Sequence, residues 1–482
     1  MTQPSILWFR NDLRLSDNPA LTAAVERGAP VLCLYIDDTK HPGDLATGAA
    51  SRWWLHYSLR HLQEKLKIHK TTLVLRRGDP IKIIRDLVKT HDVSHVFWNR
   101  LYEPWTIKRD TDLKSALKDD GVEVETFAGS LLREPWEIET KTGGPYGVFT
   151  PFWKTLSAME PPARPLQAPK SIPTGKSNLE TDSLKDWALT PEKPDWAAGF
   201  ADHWQPGEDG AQARLQSFVE NGLDQYRDHR NTPAEEDGTS RLSPHLHFGE
   251  ITARQVWHAI QHAVDADKVN SGSAWAYLRE IGWRDFNHHL LFHNPDIPME
   301  NYKENFDAFP WRDDEQAFEA WTIGRTGYPF VDAGMRQLWK SGFMHNRVRM
   351  VTASFLVKHL LIDWRRGEAW FRDTLVDADL ANNVNGWQWV AGSGADAAPY
   401  FRIFNPITQG EKFDPTGAYI RQWVPELADL PDDDLFRPWE ASEESLEKAG
   451  IELDKTYPKP IIDHSAARQR ALAAMQETKS DR

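Results

Sequence analysis

The sequence predicts two domains: an N-terminal α/β domain with a doubly wound parallel sheet, followed by an all-α C-terminal domain. Residues 5–130 alternate short runs rich in β-branched and aromatic residues with amphipathic helical stretches, which is the rhythm of parallel βαβ units. From about residue 207 onward the apolar residues follow a helical period, and no strand-like alternation returns. A chain of 482 residues also exceeds one ordinary hydrophobic core, so two domains are expected.

The N-terminal domain is expected to span residues 1–135. Its predicted strands are 5–10, 31–37, 71–77, 94–100 and 122–127. Its predicted helices lie around 49–68, 79–90 and 106–119. No Gly-x-Gly-x-x-Gly follows the first strand, so the usual dinucleotide fingerprint of such a sheet is missing. We therefore do not expect this domain to hold a dinucleotide.

Residues 136–206 are predicted to form the interdomain linker. Their central part, 159–196, contains seven prolines, which interrupt helices and sheet ladders and favour an extended connection. The all-helical domain then spans 207–482.

Tryptophan and the local charge are the unusual features of the composition. The chain has 22 tryptophans, which favour flat or redox-active partners, although a large aromatic core is the alternative. The net charge is −14, yet residues 336–366 contain seven cations and one acid. These cations, which we call the basic island, are Arg336, Lys340, Arg347, Arg349, Lys358, Arg365 and Arg366. The basic island predicts contact with a phosphate backbone, and a solvated helix face is the alternative.

The remaining composition predicts an ordinary intracellular protein. The single cysteine, Cys33, lies in an apolar run and is expected to be a buried strand residue, so no disulfide can form within the chain. No Cys/His spacing is typical of a zinc site, and no metal is expected. No signal sequence or long apolar run is present. We expect a soluble, cytoplasmic monomer with no membrane contact and no obligate protein partner.

A hydroxyl-rich loop precedes a predicted helix at residues 239–243. Thr239, Ser240 and Ser243 offer hydroxyls, and Arg241 offers a fork of N–H donors. Ser243 followed by Pro244 reads as the N-cap and first residue of a helix. Such a helix start beside hydroxyls and an arginine suits a diphosphate, and simple helix capping is the alternative.

One helical face carries an acid, an indole, a cation and an amide. Glu280, Trp283, Arg284 and Asn287 recur at i, i+3, i+4 and i+7. An exposed face with a Glu–Arg pair would not explain the tryptophan, so this stripe predicts the wall of a ligand site.

Paired acids and paired amides precede a Trp-x-Trp motif in the stretch 377–389. Its members are Asp377, Asp379, Asn382, Asn383, Trp387 and Trp389. Carboxylates and amides placed directly before two tryptophans favour a flat, polar ligand, and a tryptophan-rich core with capped helices is the alternative.

These motifs together resemble those of the photolyase/cryptochrome family. The resemblance rests on the opening 8–21 (WFRNDLRLSDNPAL), on 239–244 (TSRLSP), on 386–389 (GWQW) and on 396–406 (DAAPYFRIFNP), and it covers nearly the whole chain. It implies an antenna-binding α/β domain and an FAD-binding helical domain. The wording of the last two motifs is similar to that of class I or III photolyases, which act on cyclobutane pyrimidine dimers.

The resemblance implies that FAD is bound by a set of residues from the helical region. They are Tyr226, Thr239, Ser240, Arg241, Leu242, Ser243, Tyr277, Glu280, Arg284, Asn346, Arg349, Asp377, Asp379 and Asn383. In the family, the counterpart of Arg349 pairs with that of Asp377 across the flavin. The counterpart of Asn383 faces flavin N5, where an amide suits a fully reduced flavin because it does not titrate, and this favours repair over signalling.

The resemblance also implies the residues that hold the dimer. The pocket residues are Glu280, Trp283, Asn346, Met350 and Trp389, with the two tryptophans on either side of the dimer. Photolyases for (6-4) lesions carry histidines where Asn346 and Met350 stand, so the cyclobutane dimer is favoured. DASH cryptochromes usually replace the second pocket tryptophan with tyrosine, whereas Trp389 is intact here.

Two further sets follow from the resemblance. The predicted electron-transfer chain from solvent to flavin consists of Trp311, Trp364 and Trp387. The predicted DNA contacts are Trp283, Arg284, Arg347 and Arg402.

The expected function is therefore light-driven repair of DNA, in which excited reduced FAD gives one electron to a flipped-out dimer and the electron returns after the ring splits. The alternative is a blue-light-sensing cryptochrome with the same flavin site and no repair activity. An antenna chromophore is also implied, with 5,10-methenyltetrahydrofolate as first choice and 8-hydroxy-5-deazaflavin as the alternative. Tyr102, Glu103 and Arg109 are its candidate ligands.

Overall fold

The computed structural model describes residues 2–175, 179–397 and 401–480. The strands in this part are β1 (Ser5–Phe9), β2 (Val31–Asp38), β3 (Leu73–Gly78), β4 (His95–Asn99) and β5 (Glu123–Phe127). The α-helices are α1 (Pro19–Glu26), α2 (Ala49–Ile68), α3 (Pro80–His91), α4 (Pro104–Asp119), α5 (Phe149–Ala158), α6 (Glu208–Ser217), α7 (Tyr226–His229), α8 (Ser243–His247), α9 (Ala253–Asp265), α10 (Ser271–His293), α11 (Glu315–Thr322), α12 (Pro329–Ser341), α13 (Asn346–Ser354), α14 (Trp364–Thr374), α15 (Leu380–Ala391), α16 (Pro406–Phe413), α17 (Ala418–Trp423), α18 (Asp432–Leu435), α19 (Glu443–Lys448) and α20 (His464–Ser480). Two π-helical segments, Phe218–Gly222 and Phe355–Leu360, extend α6 and α13.

The five strands form one parallel sheet in the order β3-β2-β1-β4-β5. This order requires crossovers in both directions from β1, as in doubly wound folds. Each predicted strand is present within three residues of its predicted limits, and the region after residue 207 is helical where it is described. The predicted fold class is confirmed.

Buried charges hold the turn that follows β1. Arg10 forms an ion pair with Asp110 at 2.6 Å, and the side chain of Asp12 accepts a hydrogen bond from the backbone N–H of Arg10. Arg14 donates to the carbonyl of Gly249 at 2.7 Å. Because a buried guanidinium is costly unless its donors are satisfied, these bonds fix the turn and bring residue 249 against it.

The proline-rich segment is hydrogen-bonded to strands β2 and β3 of the sheet. Val31 N donates to the carbonyl of Pro173 at 2.8 Å, and Asp182 N donates to the carbonyl of Leu75 at 2.9 Å. Helix α5 falls inside the predicted linker 136–206 but ends before the segment 159–196 that is predicted to be extended. The domain limits 1–135, 136–206 and 207–482 stay a prediction.

The chain divides into two compact units. The first unit comprises Met1–Trp196, Trp204–Asp224 and Ser240–Pro295, and the second comprises Ala197–His203, Gln225–Thr239 and Asp296–Arg482. The first unit therefore contains α8, α9 and α10 in addition to the sheet.

No helix in the described ranges combines the length and the apolar character that a membrane crossing requires. Cys33 is buried in β2, as predicted, and burial raises the pKa of its thiol to about 12. The cytoplasmic location and the monomeric state stay predictions.

Gly249 lies directly against the turn that follows β1, and its substitution should lower the free energy of unfolding. Its φ is +61°, and an added Cβ would lie 2.1 Å from the carbonyl oxygen of Asn11. Gly28 has a similar φ of +70° but nothing within 4 Å of an added Cβ, so it is the matched control. Gly28→Ala should cost about 1–2 kcal/mol of unfolding free energy, and Gly249→Ala at least about 2 kcal/mol more. Thermal unfolding followed by circular dichroism measures both, and equal losses would contradict the expectation.

Candidate functional site

The hydroxyl-rich loop is held by neighbours in the first unit. Arg214 Nε donates to the carbonyl of Ser240 at 3.0 Å, and the backbone N–H of Leu242 donates to Ser240 Oγ at 3.3 Å. Arg241 has a left-handed φ of +52°, and its guanidinium carbon lies 5.0 Å from the ring centroid of Trp204. The ring of Trp204 thus orients the guanidinium of Arg241, whose backbone is strained. A guanidinium held in this way is suited to anion binding.

The helix after this loop begins one residue earlier than predicted. Ser243 is the first residue of α8 and Leu242 occupies the N-cap, so the N-cap prediction for Ser243 is wrong. The reason is that Leu242 takes αR backbone angles and joins the helix end. Tyr277 is buried and hydrogen-bonded to Ser240, and burial raises the pKa of its phenol, which keeps it neutral.

Trp283 on α10 lies face to face with Phe149. Their ring centroids are 3.7 Å apart and the rings are inclined by only 9°. Trp283 is half-buried and Glu280, one turn earlier, is half-buried as well. The aromatic contact fixes the plane of the indole while part of it stays exposed.

Arg284 and Asp285 point into the protein instead. Arg284 is 9% exposed and donates to the carbonyl of Ser130 at 3.0 Å and to its hydroxyl at 2.9 Å. Asp285 Oδ2 accepts from the backbone N–H groups of Leu132 and Arg133 at 2.8 and 3.1 Å. Arg284 is thus engaged by protein groups, and its assignment as a DNA contact stays a prediction.

The predicted pair of Arg349 and Asp377 is present in the second unit. Arg349 Nη2 lies 2.8 Å from Asp377 Oδ2 and 3.0 Å from Oδ1. Its Nε donates to the carbonyl of Met344 at 2.7 Å, so both ends of the guanidinium are oriented. Asp377 is only 7% exposed, so the ion pair with Arg349 also compensates the charge of a buried carboxylate.

The acids and amides before the Trp-x-Trp motif differ in their hydrogen-bond partners. Asp379 is the N-cap of α15 and accepts from the backbone and side-chain nitrogens of Asn382. Asn383 Nδ2 donates to Glu368 Oε1 at 2.9 Å, which fixes the orientation of its amide. Burial raises the pKa of Glu368, opposed by Arg372.

Trp387 and Trp389 face different sides of α15, because residues two apart on a helix are about 200° apart. Trp387 is 2% exposed, and its ring centroid lies 4.9 Å from that of Phe371. A Cβ added at Gly367 would be 2.2 Å from its ring, so only glycine fits there. Trp389 is half-buried. Trp387 is thus a core residue, whereas Trp389 keeps an exposed part.

Each of the predicted electron-transfer tryptophans packs against other protein groups. Trp364 is fully buried and donates to Asn301 Oδ1 at 2.9 Å. Trp311 packs on Phe309 at 4.4 Å between centroids. Trp321, which the sequence did not point to, contacts Trp387 edge to face at 6.2 Å. The order of electron transfer among Trp311, Trp364 and Trp387 stays a prediction.

A group of arginines surrounds the start of α13. Burial lowers the pKa of Arg347, and the charges of Arg230 and Arg402 lower it further. Arg347 Nη2 donates to Asn231 Oδ1 at 2.8 Å, and its Nε is buried with no hydrogen-bond partner among the described residues. We call Arg230, Arg347 and Arg402 the arginine cluster. Its mutual repulsion favours an anion nearby.

The predicted pocket and cofactor residues near the arginine cluster vary in exposure. Asn346 is exposed, and Met350 Sδ lies 3.6 Å from Arg347 Nη1. Tyr226 is buried, with the guanidinium of Arg230 5.2 Å from its ring centroid. Thr239 is half-buried in extended backbone. Residues 398–400 of the motif 396–406 lie outside the described residues.

The basic island does not form one basic surface. Lys358 is 1% exposed and donates to the carbonyl of Ala391 at 2.8 Å. The ion pairs that neutralise other members are Arg336–Glu426, Arg349–Asp377, Arg365–Asp363 and Arg366–Glu315. Most members are thus paired with acids or buried, and their contact with a phosphate backbone stays a prediction.

The predicted antenna ligands mostly bind protein groups. Tyr102 is buried and donates to Glu134 Oε1 at 2.7 Å. Arg109 is buried and pairs with Asp38 and Asp110 at 3.0 and 2.8 Å. Glu103 is the N-cap residue of α4. Their assignment to an antenna stays a prediction.

Among the described residues, no group of three or more His, Cys, Asp or Glu side chains could hold a metal ion.

Comparison with known proteins decides the family. The family described as DNA photolyase matches residues 5–170, and the one described as the FAD binding domain of DNA photolyase matches 277–477. A deoxyribodipyrimidine photo-lyase of Agrobacterium fabrum is 54% identical over 473 residues, which cover 98% of each chain. The chain belongs to the DNA photolyase family.

Other members of the family show how similar the structures are. A bacterial class III photolyase from Agrobacterium tumefaciens superposes with a TM-score of 0.97 at 52% identity, covering 100% of this chain and 98% of that one. Cryptochrome-1 of Arabidopsis thaliana is 40% identical, covering 98% of this chain and 70% of its own. The family therefore includes both repair enzymes and cryptochromes.

Several residues of this photolyase-family site gave no signal in the sequence. Phe149 lies in the segment predicted as linker, and Arg230 and Glu368 follow no motif that the sequence analysis used. The contacts of Phe149 with Trp283 and of Glu368 with Asn383, and the charge of Arg230 close to Arg347, are visible only in the fold.

Asp285 makes the stability of this part of the molecule depend on pH. Burial raises the pKa of Asp285 to about 6, and its Oδ1 has no hydrogen-bond partner in the described part of the chain. The folded state thus disfavours the ionised form, so stability is lost as the pH rises from about 4 to about 6. Asp285→Asn can accept the same two backbone hydrogen bonds without a charge. It should raise the melting temperature by a few degrees at pH 8 and change it little at pH 4.5.

The exposed Asp265 on α9 offers the control, since Asp265→Asn should leave the melting temperature unchanged at both pH values. A lower melting temperature for Asp285→Asn at pH 8 would show that the carboxylate is stabilising and would reject the explanation.

Proposed function

We propose that the protein repairs cyclobutane pyrimidine dimers in DNA in a light-driven reaction, with FAD as its cofactor. The observation that carries the proposal is the placement of Trp283. Its half-buried ring is backed by Phe149 at 3.7 Å, which makes a rigid, partly exposed surface for a flat ligand. Stacking of a base on such a ring is worth about 1–3 kcal/mol. Membership of the DNA photolyase family supports the same activity.

The residues of each unit have chemistry that suits FAD. In the first unit, Ser240, Arg241 and Ser243 provide the hydroxyl and N–H groups that bind a diphosphate. In the second unit, Arg349 and Asp377 offer an oriented ion pair, and Asn383 offers an amide fixed by Glu368. FAD, when bound and reduced, supplies an electron on excitation. The chain would bind and orient it, and the amide of Asn383 would offer the ring a group that does not titrate.

The arginine cluster suits the phosphates of a DNA strand. Arg347 is held by Asn231 while Arg230 and Arg402 add positive charge. Phosphate contacts of this kind position the strand and carry no sequence information. Because a dimer is inaccessible within a duplex, it must leave the helix to stack on Trp283.

The signalling alternative is less supported. A cryptochrome is 40% identical, whereas a photo-lyase is 54% identical over nearly the whole of both chains. A protein that binds no dimer would also not explain why the ring of Trp283 is partly exposed.

We further propose 5,10-methenyltetrahydrofolate as an antenna, with 8-hydroxy-5-deazaflavin as the alternative. Arg109 is already neutralised by two carboxylates, so Glu103 and the surroundings of Tyr102 are the remaining candidates. An absorption spectrum before and after denaturation distinguishes the two chromophores, and a spectrum of flavin alone would reject both.

Repair is tested with purified, photoreduced protein, blue light and an oligonucleotide that contains one thymine dimer. The wild-type protein should restore the thymines, which liquid chromatography measures, whereas no restoration would reject the proposal. Trp283→Ala should weaken dark binding of the dimer by about 5- to 100-fold, because the stacking surface is lost. Trp339→Ala removes a 52%-exposed tryptophan of the second unit and should leave binding unchanged.

Trp387→Phe should separate photoreduction from repair. Phenylalanine keeps the contact with Phe371 but cannot be oxidised easily, so light should no longer reduce the oxidised flavin. Protein whose flavin has been reduced chemically should still repair the dimer. Absorption at the flavin band follows the first reaction, and loss of both reactions would contradict this division of roles.

A further inference from the structure

A row of aromatic rings in the first unit leads from Trp283 to an exposed tryptophan near the start of α10. Phe149 stacks on Trp283, and Trp153 on α5 lies nearly parallel to Phe149 at 6.3 Å between centroids. Trp275 contacts Trp153 edge to face at 6.2 Å and Trp257 at 5.8 Å. The rings therefore form a continuous aromatic path between the two tryptophans of α10.

The outer end of this row is exposed and carries cations. Trp275 is 42% exposed and Trp153 is half-buried. Lys154 follows Trp153 in the chain and Arg279 lies one turn after Trp275, and both are exposed. The guanidinium carbon of Arg279 lies 5.2 Å from the ring centroid of Phe149. We call Trp153, Lys154, Trp275 and Arg279 the α5–α10 platform. Exposed aromatic rings next to cations are the combination that binds single-stranded nucleic acid.

The spacing along α10 places this platform beside Trp283. Trp275, Arg279 and Trp283 recur at i, i+4 and i+8, so they share one side of the helix. Eight residues at about 1.5 Å each separate the two tryptophans by about 12 Å along the axis. At about 3.4 Å per stacked nucleotide, a strand anchored at Trp283 reaches Trp275 within a few nucleotides.

The platform is held rigidly against α10. An added Cβ at Gly282 would lie 2.5 Å from the ring of Trp153, so the indole lies directly on the helix backbone. A ring already fixed in this way loses little conformational freedom when a base stacks on it.

We propose that the α5–α10 platform binds unpaired nucleotides that flank the dimer, with a base on Trp275 and phosphates at Lys154 and Arg279. This inference rests on the proposed function. The platform adds affinity for the strand around the lesion, and Trp283 contacts the lesion itself.

The test compares a long ligand with a minimal one in the dark. Dissociation constants are measured for a single-stranded oligonucleotide with one central thymine dimer and, by competition, for the isolated thymine-dimer dinucleotide. Trp275→Ala should weaken binding of the oligonucleotide about five- to tenfold and leave binding of the dinucleotide unchanged. Trp275→Phe should recover part of the loss, because it restores a ring. Equal oligonucleotide affinities in Trp275→Ala and wild type overturn the proposal.

Two controls keep the outcome interpretable. Trp136→Ala removes a 43%-exposed tryptophan of the same unit that lies outside the platform, and it should change neither constant. Should Trp275→Ala unfold, the double variant Lys154→Ala/Arg279→Ala removes only exposed side chains and should lower oligonucleotide affinity and its salt dependence. Unchanged affinity there also overturns the proposal. A wild type that does not prefer the dimer over undamaged DNA rejects the proposed function instead.

Discussion

Two adjacent charged residues on α10 determine how that helix presents its ligand-facing side. Burying Arg284 and Asp285 is favourable only if both find partners, and the turn at 130–133 provides them. Successive helical residues differ by about 100°, so fixing these two fixes the direction of Trp283 as well. One oxygen of Asp285 has no partner in the described part of the chain, which means that this orientation is obtained at some cost in stability.

Local patterns predicted the fold well because they act over short distances. The alternation of β-branched runs and helical periods located every strand of the described sheet. The central strands β1 and β4 are buried on both faces, which demands such residues. The predicted start of α8 was wrong by one residue, because Leu242 adopts helical backbone angles that the residues before it do not indicate. Such boundary errors have little consequence for the site, because Ser240 remains hydrogen-bonded to Tyr277 and Arg214.

Side-chain partners over long distances could not be predicted in the same way. The basic island was defined by charges that are close along the chain, but in the fold Arg336 forms an ion pair with Glu426, and Arg366 forms one with Glu315. Phe149 gave no signal because it belongs to a segment that reads as linker, although it backs the tryptophan on which the proposed function depends. The pair of Arg349 and Asp377 was predicted only through the family resemblance, since the two residues have no fixed spacing that implies contact.

Most cations of the basic island are paired with acids or buried, which limits their attraction for DNA. With a net charge of −14, the body of the protein repels DNA at long range, and only local features can overcome this. The arginine cluster concentrates positive charge at α13, where burial and mutual repulsion lower the pKa of Arg347 and so favour an anion as neighbour. A protein that makes few phosphate contacts binds undamaged DNA weakly. Affinity then depends on aromatic stacking, which only nucleotides outside the duplex can provide, so a lesion that distorts the helix is distinguished from intact DNA by its availability.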